Sequence, residues 1–453
     1  VHLVGIGGIG MSAIARILLA WGVRVSGSDL RLSDITADLA LLGATIHQGH
    51  GPENLNGATQ VVVSSAIPSD NPEVVAARER GLPVLKRADF IGEMMAGKQG
   101  IAVAGTHGKT TTTAMIAHLL IEAGLDPSFI VGGILADLGR NARAGQGPHF
   151  VIEADEYDGM FLGLSPDIAV ITHLERDHPD CYPTLADMVE AFSAFLDRLP
   201  PNGHIVACVD APNVRDLIGE IEKAPGAQPM IHRYGLGPEA TWRALDLDTD
   251  ETGNMGFRLA VDGKERGSVQ LSCPGRHNVK NALAALVVAD LLDVPTAAEA
   301  LSRFGGVKRR FEIKGVAKGV TVIDDYAHHP TEIQATLAAA RHRYPDREIW
   351  AVFQPHTYSR TRALFAEFAR SFADADHVIV LDVYAARAHE EARGARPLAK
   401  ALTEALSHES KRYCPTVDEA TTYILDHINS RDVLITLGAG NGFVVGERVL
   451  CER

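Results

Sequence analysis

The sequence predicts an α/β protein built as three consecutive units. Three observations carry that expectation. The chain has 453 residues, too many for one ordinary hydrophobic core. Short apolar runs alternate with helix-patterned segments from one end to the other, the pattern of parallel sheets covered by helices. Two glycine-rich loops each follow an apolar run and open a helix. With 46% hydrophobic and 22% charged residues, the balance is that of a globular protein. No apolar stretch reaches the roughly 18 to 20 residues of a membrane span. The longest, Ala282–Leu292, is broken by Asp290 and reads as a buried helix.

The first unit, residues 1–96, has strand-like runs at His2–Ile6, Val23–Gly27 and Gln60–Ser64, with helices expected over Met11–Ala20 and Pro72–Arg80. The second, 97–307, opens on the strand Gly100–Ala104. It continues with Phe150–Ile152, Ile168–Thr172 and a helix over Leu185–Leu199. From Met230 to Leu271 polar and apolar residues alternate, which predicts a small antiparallel section, and a helix beginning near Gly275 closes the unit. The third, 308–453, has strands expected at Thr321–Asp324, Ile349–Phe353, His377–Leu381 and Val433–Leu437.

A net charge of −14 argues against nucleic acid or an anionic membrane as the main partner. The five cysteines, Cys181, Cys208, Cys273, Cys414 and Cys451, are scattered and form no CxxC pair, so a reducing, cytoplasmic setting is expected. No signal-peptide pattern is present.

The strongest local signal is Gly105–Thr111 (GTHGKTT) between a strand and a helix. Glycines let the backbone wrap a phosphate, whose charge meets the amides of Gly105, Thr106, His107 and Gly108 and the helix N-terminus. Lys109 reaches terminal phosphates in such loops, and a hydroxyl such as that of Thr110 helps hold Mg²⁺. The full eight-residue pattern wants glycine at 103; Val103 makes this a shortened variant. A second loop, Gly5–Gly10 (GIGGIG), precedes Asp29 at the end of the next strand. This is a dinucleotide-type fingerprint, open to a UDP-sugar, to NAD or to tight packing alone.

Glu153, Asp155, Glu156 and Asp158 follow a strand, as do Asp177 and His178. Oxygen ligands with one imidazole suit Mg²⁺ or Mn²⁺ better than zinc; a solvated acidic loop is the alternative. Asn278 and Asn281, at a helix start, offer the paired donors and acceptors an adenine edge requires, or simply begin the helix. In the third unit, Lys308–Arg310, Asp325, Tyr326, His328, His329, His356, Arg360 and Arg362 gather at strand ends as a wall able to clamp carboxylate and phosphates. Zinc is not expected, since no HExxH occurs and His389-Glu390-Glu391 lacks the second histidine.

Taken together, GTHGKTT, EADE, the Asp177–His178 pair, GRHNVKNALAA, KRRFE, DDYAHHPTE and FQPHTYSRT resemble the Mur ligase family in order and spacing across essentially the whole chain. The resemblance implies a Rossmann-like UDP-binding domain, a central P-loop ATPase-like domain and a C-terminal Rossmann-like domain. It implies an ATP-dependent ligase that activates a carboxylate as an acyl phosphate for attack by an amine. The GIGGIGMS loop, DDYAHHPTE and FQPHTYSRT are most similar to the branch that adds L-alanine to UDP-N-acetylmuramate, the first step of the peptidoglycan stem. A branch that recycles stem tripeptides is the alternative. An NAD oxidoreductase and a non-catalytic nucleotide-binding regulator are less consistent with the full motif set.

On this resemblance Gly7, Gly8, Gly10, Asp29, Ser64 and Ser65 hold UDP. Gly105 to Thr111, with Asn278, Asn281, Arg310 and Asp325, bind ATP. Thr110, Glu153 and His178 hold Mg²⁺ or Mn²⁺, and Tyr326, His328, His356 and Arg360 line the amino-acid pocket. Lys109 serves phosphoryl transfer, and His178 or His328 is the base. Two positions depart from the family pattern: His173 stands where Asn is expected, and Tyr157, where Ser is expected, is shared with the recycling branch. No lysine occurs between residues 179 and 198, so the modified lysine of several sister ligases is not expected.

Overall fold

The computed structural model describes residues 1–226, 229–385 and 395–452, so the His389–Glu391 segment lies outside the described residues. Three sheets follow one another along the chain, as the alternation of runs predicts.

The first is parallel and five-stranded, in the spatial order Thr45–Gln48, Ser26–Asp29, His2–Val4, Val61–Val63, Val84–Lys86. Chain direction across the sheet reverses beside His2–Val4, and that switch point opens a crevice at the carboxyl ends of His2–Val4 and Val61–Val63. The second strand was expected at Val23–Gly27 but is formed by Ser26–Asp29. Its polar residues hide the strand in the sequence because they are buried against a buried acid: the Ser28 hydroxyl donates to Glu73 Oε2 at 2.5 Å. Gly27 is obligatory here, since a Cβ would lie 2.6 Å from the Leu3 carbonyl oxygen.

The second sheet has ten strands. Its middle, including Gln99–Ala104 flanked by Ile168–Ile171 and His149–Glu153, is parallel. The small antiparallel section expected over Met230–Leu271 is present, but it begins only at Trp242. Met230–Gly235 pairs in parallel with His204–Cys208, and only Trp242–Thr249, Met255–Val261 and Lys264–Gln270 run antiparallel to one another, as a continuation of the same sheet. The helix Lys109–Glu122 has almost no exposed face because it is enclosed between this sheet and the equally buried helix Arg276–Leu291. The run Ala282–Ala289 is buried there, as its composition suggests.

The third sheet orders Glu312–Ala317, Val320–Asp325, Val433–Leu437, Ile349–Phe353, His377–Val380 and Lys411–Tyr413, with only the first pair antiparallel. Two apolar clusters, one on each face, close this unit on itself. By contrast, one continuous cluster joins Leu3, Ile14 and Phe90 of the first unit to Ala102, Phe161 and Phe192 of the second. Their backbones approach closely: a Cβ on Gly92 would lie 2.3 Å from the Gly163 carbonyl oxygen. Among the described residues no helix is long and apolar enough to cross a membrane.

Candidate active site

Strand ends of the central and third sheets open onto one cavity of about 1100 Å³, with Ile9, Ser12 and Arg16 of the first helix on its remaining side. The phosphate loop forms its floor. Val103 is still inside the strand Gln99–Ala104, so the chain turns only at Gly105, which is why no glycine is needed at 103. Gly105 has φ +135° and Gly108 φ +79°, and side chains there would meet Thr172 Oγ1 at 2.1 Å and Asn281 Oδ1 at 2.6 Å. Lys109 starts the helix and turns its ammonium back onto the Gly105 carbonyl (2.6 Å) and Glu156 (2.8 Å). Burial works against that charge, yet Glu156, Asp155 and Glu153 together hold Lys109 above its ordinary proton affinity.

Thr110 donates its hydroxyl to Glu153 Oε1 at 3.0 Å, and Gly132 N–H donates to Oε2 at 2.6 Å. Burial nevertheless raises the Glu153 carboxyl above its usual range despite Lys109 and Arg310 nearby. A carboxylate so placed is short of positive charge, and a divalent cation beside the Thr110 hydroxyl would supply it; the donor set fits Mg²⁺ or Mn²⁺. His178 lies on the same wall at φ +50°, but its Nε2 is 3.6 Å from Glu156. The ring of Tyr157 meets that of His178 edge-on at 5.2 Å, and the Tyr157 hydroxyl donates to Asp180 at 3.2 Å. A second cluster, His107, Glu175 and His329, brings its donor atoms within 4.8 Å of one another. There a proton supplies the positive charge. Against the penalty of burial, Glu175 and Glu332 raise His107 to about 9.

The other departure, His173, packs against this loop with Nδ1 3.1 Å from the Thr106 hydroxyl. Burial, with His107 close by, lowers it to about 4 and keeps the ring neutral. A smaller cavity of about 180 Å³ adjoins the loop and is lined by Thr111, Asn278, Asn281, Arg310 and Asp325 among others. Asn281 donates to Asn278 Oδ1 at 3.1 Å. Asp325 accepts the backbone N–H groups of Phe311 (2.8 Å) and Ala327 (2.7 Å), while burial raises its carboxyl to about 6.

On the opposite wall Tyr326, His328 and His356 stand ring to ring, at 5.4 and 5.7 Å. His356 Nδ1 is 3.4 Å from Arg360 Nη1. His328 Nδ1 lies 2.9 Å from the Tyr326 carbonyl, which makes that nitrogen the donor and Nε2 the acceptor. Burial holds the ring to about 3, so it is neutral but a poor proton acceptor in this state. Arg310 Nη2 reaches across from the third unit to the Thr110 hydroxyl at 3.4 Å.

Of the first-unit candidates, Asp29 Oδ2 accepts the Gly7 N–H at 3.0 Å, and Ser64 Oγ accepts the Ala66 N–H at 3.2 Å. Gly7, Gly8, Gly10, Asp29, Ser64 and Ser65 sit at the crevice of the first sheet and do not line the larger cavity. Arg87 links the two places: its guanidinium fills the space a Cβ on Gly10 would need and lies 3.9 Å from Asp155. Arg87 and Glu332 are site residues given no role by the motifs, while Glu156 and Asp177, read there as candidate oxygen ligands, are paired instead with Lys109 and Arg360. Glu332 had a visible signal, the His-Pro-Thr-Glu capping pattern. Its carboxylate closes the capping box of the helix Pro330–Arg343 and also faces His107 at 3.3 Å and Arg310 at 3.8 Å.

Family models match the chain in three consecutive stretches: Mur ligase family, catalytic domain, over residues 1–99; Mur ligase middle domain over 103–289; and Mur ligase, glutamate ligase domain, over 309–440. The chain belongs to the Mur ligase family. Its enzymatic class is therefore that of an ATP-dependent acid–amino-acid ligase. The UDP-N-acetylmuramate--L-alanine ligase of Pelobacter propionicus is 47% identical over 460 residues, covering 99% of this chain and 97% of its own length. That of Desulfatibacillum aliphaticivorans is 45% identical, covering 100% and 98%. Among solved Mur ligase structures, the UDP-N-acetylmuramate-alanine ligase of Thermotoga maritima superposes with a TM-score of 0.80 at 30% identity, covering 100% of this chain and 98% of that one. A murein peptide ligase from Psychrobacter arcticus gives 0.72 at 28%, covering 99% and 98%.

Proposed function

We propose that this chain joins L-alanine to the carboxylate of UDP-N-acetylmuramate, consuming ATP and giving ADP and phosphate. One observation carries the reading. The phosphate loop of the central unit and the histidine–arginine wall of the third share a single cavity, bridged where Arg310 meets Thr110. Phosphoryl transfer and capture of an amino acid are thereby adjacent. The names of the full-length relatives, and the higher TM-score of the alanine ligase structure, favour alanine over a stem tripeptide. Dependence on ATP and a UDP-sugar supports a cytoplasmic setting for this reaction.

The units 1–96, 97–307 and 308–453 divide the work. The crevice of the first, with Gly7, Gly8, Gly10, Asp29, Ser64 and Ser65, takes the UDP portion. The loop Gly105–Thr111 takes the ATP phosphates on its amides. Lys109 leaves Glu156 to meet the γ-phosphate, and Arg310 adds a second cation, so charge developing during transfer is offset on two sides. Asn278, Asn281 and Asp325 receive the nucleoside in the smaller cavity. The muramyl carboxylate becomes an acyl phosphate, the alanine amine attacks it, and phosphate leaves. Arg360 and His356 hold the amino acid's carboxylate, and Tyr326 borders it. His328 offers Nε2 to an amine N–H, and acts as base once anionic substrates raise its proton affinity; His178 is the other candidate. Thr110, Glu153 and His178 would hold Mg²⁺ or Mn²⁺, which supplies charge neutralisation on the phosphates.

Phosphate release from ATP and Mg²⁺ with UDP-N-acetylmuramate is expected only when L-alanine is added, with a product heavier by one alanyl residue. Release with the stem tripeptide and none with alanine would overturn the assignment. Glu153→Gln is expected to raise the Mg²⁺ concentration needed for half-maximal rate by about tenfold or more, the usual effect of losing a ligand or its support. Titration of Mn²⁺ by electron paramagnetic resonance in the absence of turnover should show the same loss of affinity.

A further inference from the structure

Asp177 has no role in the scheme above, yet it stands at the junction of its two halves. It lies after the strand Ile168–Ile171 and is 3% exposed. A single oxygen, Oδ1, accepts the backbone N–H of His178 at 2.7 Å and Nε–H of Arg360 at 2.8 Å. Arg360, 4% exposed, belongs to the helix Tyr358–Ala363 of the third unit. The two form a buried ion pair across the boundary between central and third units, and both line the large cavity.

A buried pair of this kind is a weak source of stability, because both charges lose their water. Direction is what it supplies. A guanidinium is a rigid planar fork, and one held along its Nε edge presents its terminal nitrogens away from that partner. Nη1 of Arg360 is accordingly found 3.4 Å from His356, on the side of the wall that carries His328 and Tyr326. The backbone on both sides of the pair is unusual. His178 has φ +50°, and Thr357, the N-cap of the Arg360 helix, has φ +63° with its hydroxyl accepting the Arg360 N–H at 3.4 Å. Both partners are thus presented from constrained turns.

Resting on the assignment of Arg360 to the amino-acid pocket, we infer that Asp177 is a positioning residue for the amino-acid substrate. Its carboxylate holds Arg360 by Nε so that the terminal nitrogens meet the substrate carboxylate, and it ties that clamp to the seating of the third unit on the second. Asp177 itself touches no reacting atom.

The test is Asp177→Asn in the full-length protein, with each substrate varied in turn in the phosphate-release assay. The amide keeps the size and can still accept from His178 but carries no charge. The expected result is a rise of about tenfold or more in KM for L-alanine, from loss of a charge-assisted hydrogen bond. KM for ATP should stay within about twofold, since only the amino-acid clamp is loosened. Asp177→Glu should recover part of the loss. In an Arg360→Lys background, which lacks the Nε fork, Asp177→Asn should add little. An unchanged KM for alanine in folded D177N, or equal rises for alanine and ATP, would overturn the inference. If D177N does not fold, D177E carries the test, with a selective rise in the alanine KM expected. A wild-type protein without alanine-dependent phosphate release would instead sink the proposed function, before any variant is compared.

Discussion

Lys109→Met is expected to lower turnover by about a thousandfold or more while leaving a folded protein. Removing one preorganised charge or donor aimed at a transition state costs roughly a hundredfold to a thousandfold, and Lys109 is a full cation at the phosphate loop. The variant has a second effect. Lys109 is the close cationic partner of the fully buried Glu156, whose carboxyl, in spite of burial, it helps hold below the usual range. Without Lys109 that buried carboxylate loses its ammonium partner, with His178 Nε2 3.6 Å away, and thermal stability should fall. Lys109→Met with Glu156→Gln separates the two effects: calorimetry should show stability recovered, and the phosphate assay should show activity still absent. Activity in the folded single variant would remove Lys109 from phosphoryl transfer.

Glu73→Ala is expected to destabilise the protein by about 3–5 kcal/mol, the range for removing one member of a buried polar network and stranding the others. Glu73 is completely buried at the back of the first sheet. It accepts from Ser28 at 2.5 Å and Asn54 at 2.6 Å, with His50 at 3.3 Å and His2 at 3.6 Å. Burial alone would raise its carboxyl, but the His2 ring nearby and the hydrogen bonds from Ser28 and Asn54 outweigh that and bring it to about 2. The sign of the pH effect follows. A group with a depressed folded value contributes in full above its unfolded value, near 4.5, and that contribution is lost as pH falls toward 2. Denaturant titrations at pH 7 and pH 3 should therefore differ for the wild type by more than for Glu73→Ala. Equal differences would take Glu73 out of the acid sensitivity.

Glu73 also explains where the sequence was hard to read. Strands that are apolar on both faces, Ile349–Phe353 and Val433–Leu437, match their expected bounds to the residue. Ser26–Asp29 does not, because its burial is made possible by an acid 45 residues further along the chain. Thr45–Gln48, Val84–Lys86 and Lys411–Tyr413 escaped notice as short or partly exposed strands at or near sheet edges. The site divides in the same way. Groups whose chemistry depends on local spacing, such as Gly105–Thr111 with its helix, are visible in one dimension. Glu156 against Lys109 and Asp177 against Arg360 are pairings of 47 and 183 residues in separation, which only the completed sheets bring together.

The apolar cluster that runs without a break from the first unit into the second has a consequence for how the enzyme opens. Parting those two units would wet an oily face, and nothing in water replaces what is lost. The third unit keeps its two apolar clusters to itself and meets the rest through groups such as Arg360, Glu332 and Arg310, each of which water can solvate in exchange. Parting the third unit from the other two is therefore the less costly separation. The wall of Tyr326, His328, His356 and Arg360 would travel with that unit, away from the phosphate loop.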